Sequence, residues 1–469
     1  PAVTHGGSKA LPSKPSHHLA CRPWGVRSGI QFVSSAQVHV SCPELGVIVQ
    51  KDSLVRPQLV ESRLDNGLTL LVREARGAPI ATFWVWYRVG SRNEVPGLTG
   101  ASHWVEHMLF KGTDRFPKGV ADKAIAGCGG VRNGMTWLDY TTYYETVPSE
   151  HFGLAVAIEA DRMANARFLE EEVASERGVV ISEREGSENQ PGYALYEEVT
   201  AAAYRLHSYG RPVVGFKHDL RTMTRDDLYG FYRRHYVPSN AFAVAIGDFD
   251  GDEVRSKIEA EFGSIPSGVA RPYVPPEEPA QTGERRVTVR RPGPVPLLSV
   301  AYHVPGADHL DTPAIWMLGA VLGAGRSSRL YVSLVSSGLA SSASAGSAET
   351  CDPHLFRMSV TARADADRSK LEAVALETVE AVAENGIDEL ELAKVRRQFR
   401  AGHVFGTEGI TNQARSIGSS EIAGDWRRAE TYLDDLDRVS PADVQRVCAK
   451  YLVERNRTVG WFIPEGAQA

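Results

Sequence analysis

The segment TRDDLYGFYRRHYVPSNAFAVAIG, residues 224–247, has the pattern of a helix that is followed by a buried strand. A similar segment closes the chain: SPADV at residues 440–444 leads to KYLV at 450–453 and then to a strand-like run at 458–462. The similarity predicts an internal duplication of a unit of about 200 residues, within the usual size of a domain. Each half also mixes strands and helices without strict alternation, which favours an α+β fold.

A proline-rich stretch lies between the two halves and contains Pro275-Pro276-Glu277-Glu278-Pro279. This composition is typical of a linker between domains. The sequence therefore predicts four parts: an N-terminal extension at residues 1–53, a first domain at 54–265, a linker at 266–284 and a second domain at 285–469.

The composition of the 469 residues is that of a globular protein, with 42% hydrophobic and 23% charged residues. The net charge of −6 gives no global bias toward nucleic acid, so we expect no nucleic-acid partner. Five cysteines without a CxxC pair argue against a disulfide framework or a thiolate zinc site. Because no apolar run reaches 18 residues, no membrane span is expected.

The N-terminal extension is poor in acidic residues, since residues 1–43 contain neither Asp nor Glu. That bias is typical of a transit peptide, but Pro12, Pro15 and Pro23 oppose the amphipathic helix that such peptides form. The sequence leaves the role of residues 1–53 open.

The segment His103-Trp-Val-Glu-His107 carries the strongest chemical signal in the chain. On a helix, residues at i, i+3 and i+4 share one face, so both imidazoles can bind one divalent ion. Glu106 then lies where it can take a proton from water on the metal. This order is the inverse of the HExxH motif.

Two ligands do not hold zinc firmly, and the segment at residues 171–183 offers a third. Glu176 and Glu183 lie seven residues apart and share one helical face. Either residue can complete the metal site while the other orients a ligand histidine, and spacing does not decide between them.

The chain resembles the M16 metallopeptidase family, which includes pitrilysin, insulin-degrading enzyme and mitochondrial processing peptidase. It resembles the shorter bacterial members most. The resemblance covers the chain from about residue 60 to its C-terminus. Its motifs are GSRNE at residues 90–94, GASHWVEHMLFKGT at 100–113, NGMT at 133–136, TTYY at 141–144, ERGVVISE at 176–183, YGRPVVG at 209–215 and YVPSN at 236–240.

The resemblance implies two similar α/β-sandwich domains and one Zn²⁺ ion per chain. It assigns His103, His107 and Glu183 as the metal ligands and Glu106 as the general base of peptide hydrolysis. Glu176 matches an additional acidic residue of the family, which belongs to the catalytic site and contacts a metal ligand without binding the metal itself.

The resemblance also implies an edge strand that pairs with the backbone of a peptide substrate. Asn133 and Gly134 fall on that strand and are the expected substrate-binding residues. Gly134 stands where the family more often has Ala. The expected substrates are peptides or unfolded polypeptides in the chamber of a dimer.

One segment departs from the family pattern. Active members have an Arg and a Tyr in their second half that hold the substrate carbonyl, whereas residues 333–342 here read SLVSSGLASS. Val335 stands at the position of the Arg and Ser341 at that of the Tyr. We therefore expect a heterodimer whose M16-like partner supplies both residues, with a homodimer as the alternative.

The resemblance leaves two other functions open. One is a non-catalytic core subunit, and the other is a processing peptidase that removes targeting peptides. The expected compartment is the cytoplasm of a bacterium, with the periplasm and the mitochondrial matrix as alternatives.

Overall fold

The computed structural model describes residues 58–269 and 273–465, and the predicted extension at residues 1–53 lies outside them. The described chain is a mixed α/β protein with two sheets. The first sheet contains β1 (Val60–Arg63), β2 (Thr69–Glu74), β3 (Ile80–Tyr87), β4 (Val131–Thr136), β5 (Thr141–Pro148) and β6 (Ala241–Gly247). The second contains β7 (Arg285–Arg291), β8 (Leu297–Val304), β9 (Ala340–Ser347), β10 (His354–Ala362) and β11 (Arg457–Pro464).

Helices connect and cover the strands in both halves. Those of the first half are α1 (Ala101–Met108), α2 (Val120–Gly127), α3 (Phe152–Asn165), α4 (Glu170–Glu188), α5 (Pro191–Ala203), α6 (Lys217–Thr222), α7 (Arg225–His235) and α8 (Gly251–Phe262). Those of the second half are α9 (Thr312–Gly323), α10 (Arg368–Asn385), α11 (Glu389–Gly406), α12 (Ile410–Ile422), α13 (Arg428–Asp437) and α14 (Pro441–Tyr451). Among the described residues, no helix is long and apolar enough to cross a membrane.

The two sheets repeat one topology. The order β2-β6-β3-β5-β4 in the first sheet matches β7-β11-β8-β10-β9 in the second. In each sheet the first pair of this series is parallel and the others are antiparallel. The repeat confirms the α+β fold of two similar halves that the sequence predicts, and the strands of each sheet fall within the predicted halves.

The two similar segments of sequence begin equivalent helices with the same capping box. At the start of α7, the Thr224 hydroxyl accepts a hydrogen bond from the Asp227 amide, and the Asp227 carboxylate accepts one from the Thr224 amide. Ser440 and Asp443 form the same reciprocal pair at the start of α14. These bonds satisfy amides that the first turn of a helix leaves free.

One helix from each half packs on the sheet of the other half. Helix α5 lies on the second sheet, where a Cβ added to Gly460 would come within 2.1 Å of Val199 Cγ2. Helix α12 lies on the first sheet, where a Cβ added to Gly418 would come within 2.1 Å of Trp86 Cε2. The halves therefore share parts of two cores, and the domain boundaries at 54–265 and 285–469 stay predictions.

Candidate active site

Helix α1 brings three of the predicted site residues onto one face, and its N-terminus is held by a buried carboxylate. The helix begins after Gly100, whose φ is +88°. Glu94 accepts hydrogen bonds from the amides of Gly100 and Ser102, each at 2.8 Å. Burial raises the pKa of Glu94 to about 8, against the opposing effect of these bonds. The orientation of α1 is thus fixed at the end where the histidines begin.

The structure brings His103 and His107 of α1 together with Glu183 of α4. The carboxylate oxygen Oε2 of Glu183 lies 3.8 Å from His103 Nε2 and 3.6 Å from His107 Nε2. One ligand atom from each of the three residues lies within 4.8 Å of the others. A tetrahedral zinc ion with bonds of about 2.0–2.1 Å separates its ligand atoms by about 3.3 Å. Two imidazoles and a carboxylate therefore fit such an ion in both chemistry and spacing.

Glu176 and Glu183 approach different ring nitrogens of His107. The Oε1 atom of Glu176 is 2.8 Å from His107 Nδ1, and its other oxygen forms an ion pair with Lys111. Although burial acts in the opposite direction, Lys111 and His107 hold the pKa of Glu176 below its usual value. The contact turns His107 Nε2 toward Glu183, so the structure assigns different positions to the two acidic residues that spacing alone left equivalent.

Glu106 points to the same site from the middle of α1. Its Oε2 atom accepts a hydrogen bond of 2.8 Å from the hydroxyl of Thr136, the last residue of β4. Burial raises the pKa of Glu106. Burial also lowers the pKa of His103 to about 4, which favours the neutral imidazole that binds metals. Thr136 and Lys111 have no predicted role, although both lie in motifs of the family resemblance.

Asn133 and Gly134 lie on β4, the outer strand of the first sheet. The Asn133 side chain is exposed. A Cβ added to Gly134 would lie 3.0 Å from the Tyr143 ring and 3.1 Å from the Phe110 ring, so the strand packs closely at this position. Among the described residues, β4 pairs with β5 alone. Its other edge is therefore open to an extended chain.

The second half contributes neither an arginine nor a tyrosine at the two family positions. Val335 ends a π-helical turn and packs against the core of the second half. Ser341 is exposed on β9, where its hydroxyl donates a hydrogen bond of 3.3 Å to the Thr361 carbonyl.

Comparison with known proteins identifies the family. The family model for insulinase (peptidase family M16) matches residues 69–217, and that for the peptidase M16 inactive domain matches residues 222–399. An uncharacterized zinc protease of Streptomyces coelicolor is 30% identical over 406 residues, which are 84% of this chain and 87% of the relative. The chain belongs to peptidase family M16. The predicted family is confirmed, and the three metal-ligand candidates lie within the first match.

Other M16 relatives extend the comparison. The zinc protease PqqE of Helicobacter pylori is 28% identical, with 81% of this chain and 87% of the relative covered. A probable mitochondrial-processing peptidase subunit beta of Arabidopsis thaliana is 26% identical, with 88% of this chain and 79% of the relative covered. The crystal structure of a protease from Helicobacter pylori superposes with a TM-score of 0.83 at 27% identity, covering 87% of this M16 chain and 100% of that chain.

Proposed function

We propose that this M16 chain is a zinc-dependent metalloendopeptidase with one zinc site. The convergence of His103, His107 and Glu183 beside Glu106 carries the proposal. The three converging residues would hold the ion, which when bound polarises a water molecule and the peptide carbonyl.

Glu106 is the proposed general base and then general acid. Its carboxylate takes a proton from the water that attacks the peptide carbon, and delivers it to the leaving amine when the C–N bond breaks. The hydrogen bond from Thr136 fixes one carboxylate oxygen and leaves the other free for this transfer. Burial raises the pKa of Glu106 above that of an ordinary carboxyl group, which makes its carboxylate a stronger proton acceptor.

The proposed substrates are extended peptides or unfolded polypeptides. A substrate strand can pair with the open edge of β4, where Asn133 and Gly134 lie. The hydrogen bond from Thr136 ties the end of this strand to Glu106. A peptide in register with β4 would therefore be held beside the proton-transfer group.

A second M16-like chain is part of the proposal. Val335 has no positive charge, and Ser341 has no phenolic ring, its short hydroxyl donating to the Thr361 carbonyl instead. Preorganised donors at a developing oxyanion are a large part of many rate enhancements. We infer a heterodimer whose partner carries that arginine and tyrosine, with a homodimer as the alternative. The compared zinc proteases of bacteria support a bacterial setting. The cytoplasmic compartment stays a prediction.

Zinc content and cleavage of an unfolded, alkylated protein test the proposal, with and without the M16-like protein encoded by a neighbouring gene. We expect Glu106→Gln to keep zinc and lose cleavage, and Glu183→Gln to lose both. Glu185→Gln is the matched control, because Glu185 lies on the same helix and faces Lys217 instead of the site. Absence of zinc and of cleavage under every condition would favour the core-subunit function. Cleavage restricted to targeting peptides would favour the processing peptidase.

A further inference from the structure

The second half contains a cavity of about 510 Å³ between α9, α11, α12 and α13. Helices α9 and α11 follow β8 and β10 in the same order in which α1 and α4 follow β3 and β5. The cavity therefore lies between the helices that correspond to those carrying the zinc-ligand candidates in the first half. Its size falls in the range of about 300–1,000 Å³ that is usual for ligand pockets.

Two arginines line this cavity with unused hydrogen-bonding capacity. Arg428 donates one hydrogen bond from Nη2 to the Ala307 carbonyl, while its Nη1 atom is buried and has no partner among the described residues. Arg415, on α12, forms no hydrogen bond or ion pair within the described part of the chain. A buried guanidinium nitrogen without an acceptor is costly, so its position favours an acceptor in the cavity.

A carboxylate lines the same cavity. Glu349 also lacks a hydrogen bond or an ion pair in the described ranges, although Arg428 and Arg415 share the cavity with it. Tyr432 lines the cavity as well, and burial and then the charge of Glu349 raise the pKa of its hydroxyl. Burial raises the pKa of Glu349, and the charge of Arg428 opposes that rise. The cavity thus presents a positive and a negative group that no described hydrogen bond or ion pair joins, beside the aromatic rings of Phe399 and Tyr432.

We propose that this cavity binds a short peptide with free termini, whose carboxylate contacts Arg415 and Arg428 and whose ammonium group contacts Glu349. A phosphate ion would gain from the two arginines but would be repelled by the carboxylate. An uncharged apolar ligand would leave the buried Nη1 atom of Arg428 without an acceptor. A peptide with both termini charged pairs with the arginines and with Glu349. The aromatic rings can contact one of its side chains. No residue of the zinc site lines the cavity, so this binding does not depend on hydrolysis.

Calorimetric titration of the full chain with the dipeptide Ala-Phe tests this site. The Glu106→Gln background prevents turnover of the probe. We expect the free dipeptide to bind at least tenfold more tightly than either its C-terminal amide or its N-acetyl form. Arg428→Gln should weaken binding of the free dipeptide at least tenfold and remove the preference over the amide. Glu349→Gln should remove the preference over the N-acetyl form.

Arg427→Gln is the matched control, since the neighbouring arginine is paired with Glu61 and Asp425 outside the cavity and its loss should leave binding unchanged. Arg415 is exposed, so Arg415→Gln keeps the test decisive even where Arg428→Gln impairs folding, and it should weaken binding several-fold. Equal affinity for the three probes, displacement by inorganic phosphate, or unchanged binding in Arg415→Gln would overturn the proposal. So would loss of binding in Glu183→Gln, which would place the probe at the zinc site.

Discussion

Thr136 donates a hydrogen bond to Glu106, with 2.8 Å between Oγ1 and Oε2. Thr136 is the last residue of β4, and Glu106 lies on α1. The bond therefore connects the open edge of the first sheet with the carboxylate proposed to transfer protons. The orientation of the Glu106 carboxylate therefore depends on the position of the end of β4.

Removal of this hydroxyl should impair turnover and leave the metal in place. A hydrogen bond to a charged group contributes about 1.5–3 kcal/mol, and each 1.36 kcal/mol is a factor of ten in rate. We expect Thr136→Val to lower kcat roughly ten- to hundredfold at unchanged zinc content, measured by steady-state kinetics and metal analysis. Thr136→Ser keeps the hydroxyl and should stay within a few-fold of the wild type. Loss of zinc in Thr136→Val would contradict a role in orienting Glu106.

Glu176→Gln should weaken zinc binding instead. Glu176 accepts from His107 Nδ1 and pairs with Lys111, and partners of this kind typically change metal affinity about 10–100-fold when mutated. Competition with a chromogenic chelator measures the affinity. Glu172→Gln on the same helix is the control, because Glu172 pairs with Lys118 away from the histidines and should bind zinc as the wild type does. Equal affinity of the two variants would show that Glu176 does not orient His107.

The grouping of His103, Glu106 and His107 was predictable because it depends on helix periodicity alone, and all three residues lie on α1. The separate positions of Glu176 and Glu183 were not predictable from their spacing. Both residues share one face of α4, but contact with Nδ1 or approach to Nε2 of His107 depends on how α4 packs against α1. That packing is a property of the folded molecule, and the family resemblance, not the spacing, gave Glu183 its predicted role.

No local feature of the sequence predicts that α5 and α12 each pack on the sheet of the other half. Each of the two helices is amphipathic, and its sequence does not indicate which sheet its apolar face covers. The contact between Thr136 and Glu106 was not predictable either, because the match of the Thr136 segment to a family motif does not reveal it. The duplication was predictable, since similar segments close both halves, but the shared strand order is visible only in the structure.

Gly100→Ala should destabilise the fold at the start of α1. Gly100 has a φ of +88°, and a Cβ there would lie 2.5 Å from the Val214 carbonyl oxygen. Gly97→Ala is the matched control, because Gly97 has a φ of +91° with no atom within 4 Å of the added Cβ. The left-handed backbone alone costs about 1–2 kcal/mol, so Gly97→Ala should lose that amount of unfolding free energy and Gly100→Ala distinctly more. Urea denaturation measures both, and equal losses would contradict the contact with Val214.

Asp352 connects the second half to the first and should make stability depend on pH. Although burial opposes them, hydrogen bonds from His207 and Arg92 hold the pKa of Asp352 at about 2. In the unfolded chain the pKa of an aspartate is about 3.9, so the stabilisation is present above that value and is lost as the pH falls through about 2.

We expect Asp352→Asn to lower the free energy of unfolding by about 1–2 kcal/mol at pH 5, and the difference from the wild type to fall to about half by pH 3. Denaturant titrations at the two pH values measure this change. Asp365→Asn is the control, because its carboxylate is 82% exposed and its only described ion pair is with Arg363 at 3.6 Å. A difference between Asp352→Asn and the wild type that stays the same from pH 5 to pH 3 would show that the charge of Asp352 does not hold the two halves together.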